Sequence, residues 1–283
     1  MTVPSDQGGP VLVGVADVAA SEPALQYAAD EAIRSRRPVR IVHVVTDETA
    51  PHAETILQDA AARTRRLTRG QVTVEAVTHA APLVPALVTL SDAATLVVLQ
   101  RRRHTRLQSL LDLSVSAHVA GQAHVPTVWV PEDWHRSDSV APHLVVGVDA
   151  ADDDETTHLL HHAFERADQH GASLTVVHGW QLSTGYDDAV LDQASVEAWT
   201  ERYRDALQNR LSVLQVDHPQ IPVEAQIVHA PPAAALVQAA KTADLLMLAR
   251  GRLTHPLVGH LGSVARAVMK RSTCPVEIIP DAH

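Results

Sequence analysis

Short apolar runs alternate along the chain with longer amphipathic stretches. The short runs are rich in Val, Leu and Ile, which is typical of strands that are buried on both faces of a sheet. The stretches between them repeat their apolar residues at helical spacing, as in the segment 21–35, where Ser21 is expected to cap the helix with its hydroxyl. Strands that alternate with helices predict βαβ units and a parallel sheet.

The first half of the chain contains one complete set of these elements. The predicted strands are 10–15, 39–45, 73–78, 96–99 and 127–130, and the predicted helices are 21–35, 53–68, 83–91 and 114–122. A basic segment, RRRHTR at 101–106, follows the fourth strand and could grip an anion or an acidic partner.

The pattern then starts again after a polar segment bounded by prolines. LVVGVD at 144–149 matches VLVGVA at 11–16, and LGSVARAV at 261–268 matches DLSVSAHV at 112–119. The second copy is longer between its second and third strands, which extends its second helix to roughly 194–216. Correlated matches of this kind predict a duplicated domain. The predicted parts are a disordered tail at 1–9, a first domain at 10–131, a linker at 132–142 and a second domain at 143–280.

Composition narrows the class of protein. Apolar residues make up 46% of the chain and aromatic residues only 3%, so the cores must consist mainly of aliphatic side chains. A net charge of -10 argues against binding to nucleic acid or to an anionic membrane. A single cysteine, Cys274, excludes an intrachain disulfide, suits a reducing compartment and is expected to be a buried, inert thiol. We expect a cytoplasmic protein without a membrane span.

The segment 245–275 carries the strongest candidate chemistry. It predicts a buried strand at 245–248, a basic turn, and a helix that opens at Gly262 and Ser263. A strand that leads through a loop into a helix N-terminus presents unpaired backbone N–H groups, and the helix dipole adds about half a positive charge there. Such a place favours an anion such as phosphate.

Four stretches of the second half resemble a known family, the tandem universal stress proteins of the two-domain actinobacterial type. They are VGVDA at 146–150, VVHGW at 176–180, VHAPPAAAL at 228–236 and GSVARAVMKRSTCPV at 262–276. The resemblance implies an α/β fold of two tandem, doubly wound domains, Rossmann-like, each with a five-stranded parallel sheet. It also implies a nucleotide cleft at the carboxyl ends of the strands.

The resemblance further implies that the second domain binds ATP or a related adenine nucleotide. Asp149 would face the adenosine end, Gly179 would lie against the base, and the Gly262–Ser263 pair would contact phosphates. The complete set of implied contacts is Val148, Asp149, Gly179, Ala249, Arg252, Gly262, Ser263 and Val264.

The phosphate loop departs from the family pattern in both domains. Ala249 and Arg252 stand where the second domain should have its two loop glycines, and Gly251 is one position out of register. Arg252 could instead contact phosphate through its guanidinium. The first domain has none of the expected residues, so no nucleotide site is predicted there. The replacements are Ala16 for the Asp, Gln100 and Arg103 for the loop glycines, and Leu113 for the distal Gly.

Three functions remain open on the sequence. The leading hypothesis is a stress-response regulatory protein that binds ATP in its second domain only and acts on an unknown protein partner. The alternative is a nucleotide-free interaction protein in which side chains fill both clefts. A weaker alternative is a slow nucleotide hydrolase that uses Asp149 and Ser263, although no catalytic motif is visible and an enzyme is not expected. The resemblance also allows a homodimer in which the two domains of one chain pair.

Two clusters could bind a metal. The acidic residues Asp152, Asp153 and Asp154 are expected to cap the following helix, and could alternatively hold Mg²⁺ beside a phosphate. His158, His161 and His162 share a helix face, but no motif of a metal site accompanies them and no metal is predicted there.

Overall fold

The computed structural model describes most of the chain in two compact units, with the main break between Arg136 and Ser137. Several predicted features lie outside the described residues: the tail up to residue 7, the basic segment beyond Arg101, Arg103, Leu113, Asp152 and Arg252. The described residues are 8–45, 50–80, 82–101, 115, 117–136, 141–149, 153–182, 188, 190–251 and 261–281.

The first unit contains a five-stranded sheet in the order β3-β2-β1-β4-β5, and its strand pairs are parallel. Its strands are β1 (Val11–Gly14), β2 (Val39–Val44), β3 (Val74–His79), β4 (Leu96–Arg101) and β5 (Thr127–Pro131). Its helices are α1 (Glu22–Ser35), α2 (Ala53–Leu67), α3 (Leu83–Ser91) and α4 (117–122).

The second unit repeats this order as β8-β7-β6-β9-β10, again with parallel pairs. Its strands are β6 (His143–Gly147), β7 (Ser173–Trp180), β8 (Val223–His229), β9 (Leu245–Ala249) and β10 (Val276–Ile279). Its helices are α5 (Asp154–His170), α6 (Gln193–Asp217), α7 (Pro232–Ala239) and α8 (Ser263–Arg271). The predicted fold class is thus confirmed, and α6 has 25 residues where α2 has 15, as the predicted insertion requires.

The cores are aliphatic, as the low aromatic content requires. The central strands are buried along almost their whole length, and Phe164 is the largest of the fully buried side chains. Each fully buried Leu, Ile or Val contributes about 1.5–3 kcal/mol through the removal of apolar surface from water. Since both faces of each sheet are covered, functional groups are expected at the carboxyl ends of the strands, where chain leaves the sheet.

The start of α1 corrects the prediction that Ser21 caps this helix. Ser21 is buried, forms no capping bond with its side chain, and has φ -107° and ψ 5°, because a short 3₁₀ turn leads directly into the helix. A capping residue needs extended backbone. The cap comes instead from Gln100 at the end of β4, whose Oε1 accepts the Ala24 N–H at 2.9 Å. The Nε2 of Gln100 donates to the Val130 carbonyl at 2.9 Å, so one side chain joins helix α1 to strand β5.

Replacing Gln100 tests this cap. Gln100→Ala removes the partners of the Ala24 N–H and the Val130 carbonyl, and buried groups that lose a hydrogen bond cost about 1–3 kcal/mol. Urea denaturation should therefore show a free energy of unfolding lower by about this amount. Gln100→Glu keeps the acceptor for Ala24 but turns a carboxylate oxygen toward the Val130 carbonyl, so it should not restore the stability of the wild type. The exposed Gln71→Ala is the control, and a Gln100→Ala midpoint equal to that of the control would contradict the assignment.

Candidate functional site

The candidate site lies at the carboxyl edge of the second sheet, where the chain leaves strands β6 and β9. Gly147 at the end of β6 pairs with Val177 on one side and Leu248 on the other. The pairing continues for one more residue, because the Val148 N–H donates to the Val177 carbonyl at 3.0 Å. Asp149 therefore leaves a central strand beside the point at which β9 also ends.

Asp149 is exposed at the mouth of a shallow recess that opens to solvent and encloses only about 10 Å³. Pockets that enclose a drug-sized ligand usually measure about 300–1,000 Å³, so this recess does not enclose a nucleotide. The recess is lined by Val148, Asp149, His178, Tyr203, Ala206, Leu207 and Arg210.

A histidine on the second strand of each unit holds the exit of the first strand. His178 Nδ1 lies 3.1 Å from the Val148 carbonyl oxygen, and His43 Nδ1 lies 2.8 Å from that of Val15. Because a carbonyl only accepts, each Nδ1 carries the proton. Both Nε2 atoms are buried without a hydrogen-bond partner among the described residues. Sequence analysis gave these two histidines no role of their own, and their anchoring role was missed.

Gly179 is required by packing inside the unit. A Cβ at this position would lie 2.8 Å from the Pro232 Cα and 3.1 Å from the Ala235 Cβ, at the start of helix α7. The preceding residue, His178, points to the opposite face of the sheet, where its ring centroid is 4.7 Å from that of Tyr203. The face of Gly179 that a side chain would occupy is therefore filled by the protein itself, and the expected contact with a base stays a prediction.

An aromatic cluster fixes helix α6 beside the recess, and sequence reasoning did not single it out. Trp180 on β7 has ring centroids 5.7 Å from Tyr203 and 4.3 Å from His229. Asp188 accepts from His229 Nε2 at 2.9 Å and from the Leu182 N–H at 2.8 Å. These bonds, that of His229 foremost, lower the pKa of Asp188. The available signal was the concentration of scarce aromatic residues between 180 and 203.

The two ends of the loop after β9 meet. The Arg250 N–H donates to the Ile279 carbonyl at 2.9 Å, and the Arg250 carbonyl accepts the Gly262 N–H at 3.0 Å. A Cβ on Gly262 would lie only 3.5 Å from the Gly251 Cα. The structure thus brings Ala249 and Gly262 to the same edge. It also gives the Gly262 amide, an expected phosphate donor, a partner within the protein.

The amide of Gly251 is bonded to a carboxylate of the same chain. Gly251 has φ +86°, in the left-handed region that favours glycine, and its N–H donates to Glu155 Oε1 at 3.2 Å. Glu155 lies in the first turn of α5. In the sequence analysis Gly251 is one position out of register with the family pattern, and Glu155 has no assigned role. An internal anion therefore occupies the front of the loop in which a ligand phosphate was expected.

The start of α8 retains donors that the helix does not use. Gly262 is the capping residue and provides no side chain, and Ser263 and Val264 are the first two helical residues. Amides in the first turn of a helix have no partner within it. Ser263 is exposed and Val264 is half-buried, so both predicted contacts lie at an accessible helix end.

The charge at this edge is mixed. Arg250 is half-buried, and burial lowers the pKa of its guanidinium while Asp281 opposes the shift. On the acidic side, Asp153 caps α5 by accepting the Thr156 N–H at 2.9 Å, which confirms the predicted cap.

The first unit uses the corresponding positions for its own structure. Ala16 stands where the second unit has Asp149, and the neighbouring Asp17 accepts the Ala20 N–H at 2.8 Å. Gln100, at the position of Ala249, is committed to α1 and β5.

The histidines of α5 do not form a metal site in the part of the chain that the structure describes, where no group of three or more His, Cys, Asp or Glu is suitably arranged. His162 Nε2 instead lies 3.0 Å from Glu277 Oε1, and the Arg166 Nε donates to Glu277 Oε2 at 3.1 Å. Cys274 is buried, as predicted, with its Sγ 3.4 Å from the Ser272 hydroxyl.

Two doubly wound parallel sheets with polar groups at their carboxyl edges define a tandem, Rossmann-like α/β protein. The model of the universal stress protein family matches residues 9–131 and 142–280, and the chain belongs to that family. This membership places it among stress-response proteins and confirms the resemblance stated from the sequence.

Relatives and solved structures extend over nearly the whole chain. The universal stress protein Rv2005c of Mycobacterium tuberculosis is 30% identical over 302 residues, covering 98% of each chain. Rv2623 of the same organism is 28% identical over 278 residues, which is 89% of this chain and 91% of the relative. The fold is similar to that of a universal stress protein from Archaeoglobus fulgidus, with a TM-score of 0.71, 16% identity and coverage of 98% and 97%.

No helix in the described residues has the length and apolar character to span a membrane.

Two glycine substitutions distinguish a close contact with backbone, at Gly179, from a close contact with side-chain ends, at Gly147. Gly179→Ala should lower the free energy of unfolding by about 1–3 kcal/mol, because the new methyl meets helix backbone that cannot rotate away. In Gly147→Ala the methyl would meet only the side-chain ends of Leu236 and Leu248, at 2.5 and 2.6 Å, so the loss should be smaller. Thermal and urea unfolding of both variants measure the difference, and the reverse order would refute the explanation.

Proposed function

We propose that the protein is a stress-response regulatory protein that binds an adenine nucleotide, with the site in its second unit. The observation that supports this most directly is the asymmetry between the two carboxyl edges. The second unit has an exposed Asp149 at a recess and an accessible helix end at Ser263 and Val264. At the corresponding edge of the first unit, Ala16 replaces the carboxylate and Gln100 serves as an internal cap.

The chemistry of the edge suits such a ligand. The Asp149 carboxylate can accept hydrogen bonds from ribose hydroxyls or from an amino group of a base. The amides of Ser263 and Val264 and the Ser263 hydroxyl can donate to a phosphate, which the dipole of α8 also stabilises. Binding would fix the chain ends around β6 and β9 and so change the surface that a protein partner meets. A cytoplasmic location and a homodimer with paired domains stay predictions.

A second candidate is an interaction protein that binds no nucleotide. The internal bonds of the loop favour it, because the Gly251 amide is held by Glu155 and the Gly262 amide by the Arg250 carbonyl. If these bonds never open, the edge has too few donors for a polyphosphate. Hydrolysis is the weakest candidate, because it would require Asp149 and Ser263 to activate water and no catalytic motif accompanies them.

Equilibrium dialysis with labelled AMP, ADP and ATP distinguishes the candidates. Wild type should bind at least one of them, and Gly262→Glu should reduce binding more than tenfold because its carboxylate would lie at the helix end. Gly262→Ala is the matched control, since its methyl would meet its nearest neighbour, the Arg250 carbonyl oxygen, at 3.3 Å and adds no charge. Asp149→Ala should also weaken binding.

The location of the site is tested in the same assay. Asp17→Ala changes the acidic residue beside the corresponding position in the first unit, and it should leave binding unchanged. Failure of wild type to bind any of the three nucleotides would favour the interaction protein. Equal binding by wild type and Gly262→Glu would show that the ligand lies elsewhere.

A further inference from the structure

The bond between Glu155 and Gly251 bears on which nucleotide the second unit can take. The Gly251 N–H is a backbone donor at the start of the loop that follows β9. Its acceptor, the Glu155 carboxylate at 3.2 Å, is anionic, as a phosphate oxygen would be. A ligand phosphate at this amide must therefore displace Glu155. No motif in the sequence identifies this residue, which is 96 positions distant from its partner.

The contact is held from both sides. Glu155 belongs to the first turn of α5, where the helix dipole stabilises negative charge, and Asp153 fixes the start of that helix through the Thr156 N–H. On the loop side, the positive φ of Gly251 is needed to turn the amide, and few other residues adopt it. The carboxylate is thus a built part of the edge.

The geometry of the loop links this contact to the phosphates of a ligand. Gly251 and Gly262 are neighbours, since a Cβ on Gly262 would lie 3.5 Å from the Gly251 Cα. A single phosphate can use the amides of Ser263 and Val264 at the start of α8 without reaching Gly251. A second or third phosphate would extend along the adjacent loop ends, Gly262 and Gly251, toward Glu155. There the negative charge of the phosphate would be repelled by that of the carboxylate.

We propose that Glu155 sets the number of phosphates that the second unit accepts, and that its ligand is a nucleoside monophosphate in preference to a triphosphate. This inference rests on the proposed nucleotide-binding function. The exposed Asp149 adds negative charge at the same edge, which also disfavours a more highly charged ligand. Glu155 acts here as a specificity-determining residue.

Isothermal titration with AMP, ADP and ATP, without Mg²⁺, tests the proposal in wild type, Glu155→Gln and Glu155→Ala. Wild type should bind AMP at least about fivefold more tightly than ATP. Glu155→Gln removes the charge and keeps an acceptor, so it should shift the ratio of the ATP and AMP affinities by about tenfold toward ATP. Glu155→Ala removes both the charge and the acceptor of the Gly251 N–H, so it should shift the ratio of the two affinities at least as far. Asp154→Asn, an exposed neighbour in the same turn, is the matched control and should keep the wild-type ratio.

The outcomes separate this proposal from the proposed function. If wild type and both Glu155 variants bind ATP and AMP with one common ratio, the role of Glu155 is refuted while nucleotide binding stands. If none of the proteins binds a nucleotide, both proposals fail. If wild type binds AMP and only the Glu155 variants also bind ATP, Glu155 excludes polyphosphates as proposed and nucleotide binding stands. Thermal melting monitors folding, and Glu155→Gln decides the result if Glu155→Ala does not fold.

Discussion

The carboxyl edge of a parallel sheet imposes one constraint on both units of this protein. Where strands end and helices begin, backbone N–H and C=O groups lose their regular partners, and each needs another. In the first unit the amide at the start of α1 and the carbonyl at the end of β5 are both bonded to Gln100. In the second unit the turned amide after β9 is bonded to Glu155. The same need is met by a neutral side chain in one copy and by a charged one in the other.

Part of this edge is identical in the two copies. His43 and His178 hold the exits of β1 and β6 with one Nδ1–H to carbonyl bond each. That bond positions the residue that follows the first strand, which is Ala16 in one unit and Asp149 in the other. The scaffold that would present a carboxylate to a ligand is therefore present in both units, and only the second carries a carboxylate at this position. The fold of the first unit does not depend on a carboxylate there.

The succession of strands and helices along the chain could be predicted from local periodicity and from the repeat, whereas their doubly wound arrangement was implied by the family resemblance. The extra residues before the third strand of the second copy likewise predicted the long helix α6. The caps could not all be predicted in this way. Asp153 caps its own helix three residues away and was recognised, whereas Gln100 reaches a helix 76 residues distant. Ser21 had the right residue type at the right place, and the 3₁₀ turn before it gave it the wrong backbone conformation.

The bonds of Gln100 in the first unit and of Glu155 in the second differ in whether a ligand anion could replace them. Gln100 joins two secondary structure elements with a donor and an acceptor, so a ligand anion could replace only one of its two bonds and would leave the Val130 carbonyl without its partner. At Gly251 the group to be replaced is an anionic acceptor, and a phosphate oxygen is the same kind of acceptor. Exchange at this amide therefore leaves no backbone group unsatisfied, and the released carboxylate lies on the first turn of a helix, where water can solvate it. The first edge is closed as part of the fold, whereas the second, in the function that we propose, is closed by a carboxylate that a ligand phosphate can replace at one amide.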